Sequence, residues 1–249
     1  MAAEIDGADV VINLAGRSVN CRYNDENRRQ MMESRVDSTS VVGEAIAAAT
    51  DPPKVWLQAS TATIYAHSFD TANDDIDGII GGEELDAPDT WRFSIEVAKA
   101  WERAANDSAT PKTRKVLMRS AMTMSPDRSG IFDVMLGLVR KGLGGTAGSG
   151  KQYISWIHDQ DFIRSIYWLI EHDELSGPIN ISSPNPLPNR EFMRIFRDDG
   201  VAACHRCNAN ADRDGIDTKK PSRRAQTPDG FRILIRISTL GTGGSRPLR

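Results

Sequence analysis

Four hydroxyl side chains crowd one short stretch of this sequence: Ser60, Thr61, Thr63 and Tyr65. They follow the apolar run Lys54 to Ala59. A turn at the end of a strand would hold them at a cleft. The same residues suit plain turn chemistry and helix capping, and the pattern alone leaves both readings open. Arg119 stands at an equivalent place, directly after the run Lys115 to Met118, with Ser120 beside it. A charge at a strand end is either solvated or part of a site. Other patterns carry less. Gly145 to Lys151 (GTAGSGK) spells most of G-x-x-x-x-G-K, but Gln152 follows where a magnesium site needs Ser or Thr. The loop also leaves a helical stretch instead of a strand. Cys204-His205-Arg206-Cys207 is a lone C-x-x-C with no second pair, so no metal site is expected. His67, His158, His172 and His205 show no H-E-x-x-H spacing, and no G-x-S-x-G elbow occurs.

The elements that must carry these residues alternate. Asp9 to Leu14 is apolar and β-branched, ends at Ala15-Gly16 and reads as a buried strand. The spacing of Met32, Val36, Thr39, Gly43 and Ile46 predicts a helix over 26–49, stopped by Asp51-Pro52-Pro53. The next strand runs into the hydroxyl cluster. Residues 66–90 are polar and rich in Gly and Asp, a long loop. Thr90 suits the N-cap of a helix over 91–106 whose inward face holds Phe93, Val97, Trp101 and Ala104. A third strand begins at Lys115. Further on come a helix at 131–139, a glycine-rich turn at 142–150, an extended stretch at 153–158, a helix at 161–171, a strand at 178–181, and a helix from Arg190 capped by Pro188-Asn189. Such alternation means βαβ units and a doubly wound parallel sheet of the α/β class. Ligands in such folds sit at the carboxyl ends of the strands, here Ala15-Gly16, Ser60 to Thr63 and Arg119-Ser120.

With 249 residues, 39% apolar and 26% charged, the composition is that of a globular chain of one to one and a half domains. It excludes collagen-like, coiled-coil and wholly disordered classes. No run of 18 apolar residues exists, so no membrane partner is expected. The start, MAAEIDGADVVINLAG, lacks a basic region before an apolar one, so it does not read as a signal peptide. Three cysteines are too few for a disulfide framework, and a cytoplasmic location is the expectation. Residues 1–196 hold 20 basic and 28 acidic side chains; residues 197–249 hold 11 and 6. Apolar periodicity fails where the charge flips, which marks 197–249 as a degenerate or disordered basic tail. A nucleic-acid role would rest on that tail alone, and none is expected.

Taken together, VINLAG (11–16), ESRVDST (33–39), PPKVWLQASTATIYA (52–66), AKAWERAA (98–105), KVLMRSAMTMS (115–125), GSGKQYISWIHDQDFIRSIYWLI (148–170) and LSGPINISSPNPLPNREFMR (175–194) resemble the extended short-chain dehydrogenase/reductases. The resemblance is to their atypical branch of NAD(P)-dependent epimerase/dehydratase-like proteins and covers roughly residues 8–196. It implies a partial Rossmann-like NAD(P)-binding domain over 1–170, the start of a substrate-side part over 171–196, and NADP or NAD as cofactor. It implies that Leu14, Ala15 and Gly16 line the cofactor, and that Arg119 and Ser120 border the nicotinamide. Thr61, Ser60 and Thr63 would hydrogen-bond a small-molecule substrate, with Trp156 and His158 supporting that side. A homodimer is compatible with it.

Three departures accompany the resemblance. The glycine-rich G-x-x-G-x-x-G turn is absent, so the first strands are expected to be missing and dinucleotide affinity reduced. The Y-x-x-x-K pair is not present: counting back from Glu102, its positions fall on Ser94 and Ala98, or on Phe93 and Val97 in a register shifted by one, and neither supplies a phenol and an ammonium. The tail keeps Ser222-Arg223-Arg224, Pro228 and Gly230-Phe231 in family order, but without apolar periodicity between them. The expected activity is an NAD(P)-dependent oxidoreductase or epimerase, weak or inactive as this chain. A non-catalytic binding module is the alternative.

Overall fold

The computed structural model of the chain describes residues 2–198, apart from Phe69, Asp86, Arg128 and Ser129, together with the strand 233–236. The elements in order are α1 (Ala2–Ile5), β1 (Val10–Asn13), α2 (Asp25–Ala47), β2 (Val55–Thr61), a 3-10 turn (Ala62–Ile64), α3 (Asp89–Asp107), β3 (Arg114–Ser120) and β4 (Met122–Met124). There follow α4 (Ile131–Arg140), β5 (Tyr153–Ile154), β6 (Trp156–His158), α5 (Asp159–Glu171), β7 (Gly177–Ile181), β8 (Leu187–Pro188), α6 (189–198) and β9 (Ile233–Arg236). The main sheet has the order β7-β3-β2-β1-β9, and every neighbouring pair is parallel. The expected α/β architecture is present.

Its strands read as unbroken apolar runs because both faces are covered. Val10, Ile12, Val55, Leu57, Val116 and Met118 point to one side, where Leu169 of α5, Ile157 and Ile181 meet them. Val11, Trp56 and Leu117 point to the other, against Ile5 of α1, Val42 and Ile46 of α2, and Ala105 of α3. A third cluster lies apart. Met124, Val139, Phe192 and Met193 are buried there, and Phe196 packs edge-on to Phe132 at 5.2 Å.

Several local expectations change. α3 begins at Asp89 behind Pro88, with no side-chain cap, so Thr90 lies in its first turn. Its buried residues are Ile95, Val97, Ala98, Trp101, Glu102 and Ala105. Phe93 instead meets Tyr23 edge-on at 6.0 Å, with Arg28 over its face at 5.0 Å. α2 buries Met31, Thr39, Val42, Gly43, Ala45 and Ile46 rather than Met32 and Val36. Both helices touch the sheet and each other, so each buries a wider arc than a single stripe. β1 is paired on its other side in parallel with β9, Val10 opposite Ile233 and Asn13 opposite Arg236. The rest of the stretch read as a basic tail, and the C-x-x-C within it, lie outside the described residues.

The contact between α2 and α3 is set by Gly43. A Cβ there would overlap the Ser108 hydroxyl and stand 2.6 Å from the Ser108 Cβ. Gly43→Ala therefore forces the helices apart and should cost about 1–3 kcal/mol in urea denaturation. Ser108→Gly opens the space from the other side. The double variant should recover most of that loss, giving a coupling energy of about 1 kcal/mol or more. Additive losses would show that the two positions do not meet.

Candidate active site

Parallel register lines up side chains across neighbouring strands, and here it builds the site. Ser60 of β2 stands opposite Arg119 of β3, which stands opposite Asn180 of β7. All three lie at the carboxyl ends of their strands. Ser60 and Arg119 continue the face of Trp56 and Leu117, so they turn toward α3 and meet Glu102. Ser60 Oγ donates to Glu102 Oε1 at 2.6 Å. Arg119 donates through Nε to Oε1 and through Nη2 to Oε2, both at 2.8 Å. Its remaining Nη1 donates to Tyr65 Oη at 2.9 Å, and Tyr65 Oη donates to Asn180 Oδ1 at 2.8 Å. Glu102 and Arg119 are only 8% and 7% exposed. The carboxylate and phenol beside it hold the Arg119 guanidinium above its ordinary value, against the opposing effect of burial.

The alternate residues face a cleft of about 780 Å³. Thr61 and Ser120, paired in register, lie at its floor with Tyr65, Arg119 and Asn180. Trp91, Tyr153 and the loop around His67 form parts of its wall. Thr61 caps the 3-10 turn: its Oγ1 accepts from Thr63 N at 3.2 Å and donates to Thr63 Oγ1 at 3.0 Å. Turn chemistry and a cleft position therefore coexist at Thr61 and Thr63. Ser60 differs, since its hydroxyl is engaged with Glu102 on the α3 side. Ser120 Oγ donates to the Ala121 carbonyl at 2.9 Å.

The turn after β1 is pinned from below. Asn13 is fully buried; its Nδ2 donates to Gln58 Oε1 at 2.9 Å and its Oδ1 accepts from Ala15 N at 3.1 Å. Ala15 is buried and Leu14 packs on the sheet core. At Gly16 a Cβ would stand 3.3 Å from the Arg35 guanidinium carbon. Arg35 donates to the Arg17 and Met31 carbonyls, each at 3.1 Å, and lies 5.1 Å from the Trp101 ring centre. Burial lowers its affinity for its proton. Ser34 Oγ accepts from Arg17 N at 3.0 Å. Ser34 and Arg35 are thus the clamp of this turn, a role that their helical position hides.

The remaining motifs resolve simply. In GTAGSGK, Ala147 N donates to Asn189 Oδ1 at 2.8 Å and Gly150 N to the Ala147 carbonyl at 3.0 Å. Those amides are engaged within the protein and do not form an open cradle for phosphate. His158 caps α5, its Nδ1 accepting from Gln160 N at 3.1 Å. Trp156 lies on β6 beside β4, and its carbonyl accepts from Ser183 N at 2.7 Å, closing the cleft wall. Among the described residues, no group of His, Cys, Asp and Glu could hold a metal ion, and no helix is long and apolar enough to cross a membrane.

Residues 1–182 match the NAD dependent epimerase/dehydratase family. The chain belongs to this family. An epimerase family protein of Staphylococcus epidermidis is 34% identical over 183 residues, which are 74% of this chain and 58% of that protein. The Bacillus subtilis epimerase family protein YfhF is 29% identical over 193 residues, 78% of this chain and 60% of that one. The chain thus spans about 58–60% of the length of these relatives. A human epimerase family protein solved with NADPH superposes with a TM-score of 0.68 at 29% identity, covering 78% of this chain and 63% of that one. A nucleoside-diphosphate sugar epimerase from Corynebacterium glutamicum gives 0.61 at 30% identity, covering 81% and 40%.

Within this epimerase/dehydratase chain, Ser94 and Ala98 lie on α3 where the acid/base pair is expected. Ala98 is fully buried against Ile64 and Tyr65. A nicotinamide cofactor finds one suitable feature beyond the β1 turn. Arg17 Nη1 is buried and has no partner among the described residues, a cationic donor that an anionic group would satisfy.

Removing one member of a buried ion pair strands the other. Arg119→Met should cost about 3–5 kcal/mol in urea denaturation, because Glu102 then stays buried without a counter-charge. Glu102→Leu combined with Arg119→Met should recover most of that loss. A double variant as unstable as the single one would show that the pair is not buried as a unit.

Proposed function

We propose that the chain binds a nicotinamide dinucleotide, NADP or NAD, and acts as an oxidoreductase or epimerase on a small molecule. The observation that carries this reading is the cleft at the carboxyl ends of β2, β3 and β7, floored by Thr61, Ser120, Arg119 and Asn180. Its volume suits a small substrate beside one end of the cofactor. Thr61 and Thr63 hydrogen-bond the substrate oxygen. Ser60 acts with them through Glu102, holding the strand end in place. Leu14, Ala15 and Gly16 give the cofactor a close backbone surface, and Arg17 offers its unpaired donor to a cofactor phosphate. Arg119 and Ser120 border the nicotinamide side. A bound nicotinamide supplies or accepts the hydride. The family membership, and the solved relative containing NADPH, support the cofactor class.

A second reading is a protein that binds these ligands without turnover. Ser94 and Ala98, in place of a tyrosine and a lysine, favour it. Fluorescence titration with NADPH and NADH tests the shared premise. One of the two should bind with a dissociation constant below about 1 mM, and Arg17→Gln should weaken it by about tenfold, equivalent to about 1.4 kcal/mol. No binding of either at several millimolar would overturn both readings. Hydride transfer to any member of a panel of small carbonyl compounds would then separate the enzyme from the binding protein.

A further inference from the structure

Proton transfer to a carbonyl oxygen needs an acid in the cleft and something to steady the anion left behind. The helical positions expected to supply both are Ser94 and Ala98. Neither can do so, and the structure gives a reason why a lysine would not fit the second. The Ala98 methyl packs against Ile64 and Tyr65 in one closed apolar cluster, and Ala98 is 0% exposed. The Tyr65 ring takes up the room that a longer side chain would need.

That ring brings its own phenol. Tyr65 Oη accepts from Arg119 Nη1 at 2.9 Å, and the guanidinium carbon lies 4.9 Å from the ring centre. A phenol and a permanent cation therefore meet at the cleft floor, delivered by the turn after β2 and the end of β3 instead of by one helix. We propose that Tyr65 is the general acid/base of this cleft, with Arg119 in the part of the cation and Glu102 as the positioning residue behind it. The reaction class rests on the reading above; the site itself rests on this geometry.

In the reducing direction a bound nicotinamide would supply a hydride to the substrate carbon, with the C=O π pair moving onto the substrate oxygen. That oxygen takes the Tyr65 proton. The phenolate stays against Arg119 and regains its proton from water. In the oxidising direction the phenolate would take the alcohol proton while the alcohol carbon gives its hydride to an oxidised nicotinamide. The phenol proton now points at Asn180 Oδ1, at 2.8 Å. Rotation about the bond from ring to oxygen turns it toward the cleft. Asn180 can answer by turning its amide, since its Nδ2 makes only a 3.3 Å contact to the Asn73 carbonyl. The turned amide would donate to the phenolate, a second stabilising contact beside Arg119. Glu102 takes Nε and Nη2 of Arg119 and so aims Nη1 at Tyr65, and Ser60 spreads the Glu102 charge.

A phenol held beside a cation should attack a sulfonyl fluoride: the phenol oxygen bonds to sulfur, fluoride leaves, and the phenol proton goes to water. Benzenesulfonyl fluoride is small enough for the cleft, and the four tyrosines, Tyr23, Tyr65, Tyr153 and Tyr167, can be read separately by peptide mass spectrometry. Tyr153 is 50% exposed and Tyr65 only 7%, so accessibility alone favours Tyr153. The proposal expects the reverse, with Tyr65 labelled about tenfold faster. Arg119→Met should remove most of that advantage without changing the Tyr153 rate, and Arg119→Lys should keep part of it. If Arg119→Met does not fold, the wild-type ratio and Arg119→Lys decide. Tyr65 labelled no faster than Tyr153, or as fast in folded Arg119→Met as in the wild type, overturns the proposal. The labelling needs no cofactor. Dinucleotide binding without Tyr65 labelling would sink this assignment and leave the cofactor reading standing; labelling without dinucleotide binding would do the opposite.

Discussion

A carboxylate and a guanidinium taken almost out of water are costly unless every oxygen and N–H finds a partner. Both Glu102 oxygens and all three Arg119 side-chain nitrogens are engaged, and that pairing dictates the geometry around them. Nε and Nη2 of Arg119 face Glu102 in a fork, and that orientation turns Nη1 toward Tyr65. Tyr65 must then give its proton to Asn180, and Asn180 must be in register with Arg119. Glu102 must be on the buried side of α3, which fixes the rotation of that helix against the sheet. A displacement of β3 or α3 by one residue would leave a charge unpaired, and one of β2 or β7 would remove the Ser60 or Asn180 partner. The cleft is therefore positioned by a desolvation constraint as much as by apolar packing.

A second polar cluster does for β1 what this pair does for β3. Asn13, Thr39 and Gln58 are fully buried, and Trp101 Nε1 donates to Thr39 Oγ1 at 3.0 Å. The cluster ties two strands and two helices together with neutral groups, which cost far less to bury than charges. Its neutrality suits its place, directly beneath the turn at Ala15. A charge there would compete for any anionic group drawn to Arg17. The charged cluster lies instead beneath the hydroxyl-rich cleft, where a positive group held by a carboxylate can face a forming anion.

The fold was legible in the sequence to the extent that short-range pattern determines it. Strand–helix alternation and β-branched runs place β1, β2, β3 and β7 and both long helices. What the pattern could not show is which helix face turns inward. α3 buries Glu102, and a charged residue reads as solvent-facing until its partner is known. Arg119 lies 17 residues on, in another element, and their pairing depends on register across the sheet. The hydroxyl cluster was visible, but the division of labour within it was not. Ser60 and Thr61 are neighbours in sequence and point to opposite faces of β2, as strand geometry requires. Ser34 and Arg35 lay inside a matching segment, yet their clamp on the Gly16-Arg17 turn joins positions 18 residues apart. The strand β9 was missed because its neighbours carry no periodicity and its partner β1 is more than two hundred residues away in sequence.

The replaced acid/base pair can be weighed in the same terms. A tyrosine and a lysine one turn apart on a helix offer a phenol and a cation on one face by local geometry alone. This chain carries Ser94 and Ala98 at such a spacing on α3, and Ala98 is sealed under Tyr65. The chemical requirement is not local. It asks only that a phenol, a lasting positive charge and an open cleft meet within hydrogen-bond reach, and three strand ends in register can satisfy it as well as one helix turn. An arginine suits the task because it keeps its charge when buried, whereas a lysine is readily neutralised there. It also needs a carboxylate to be buried at all, which is why Glu102 and the phenol that faces the cleft belong to one network.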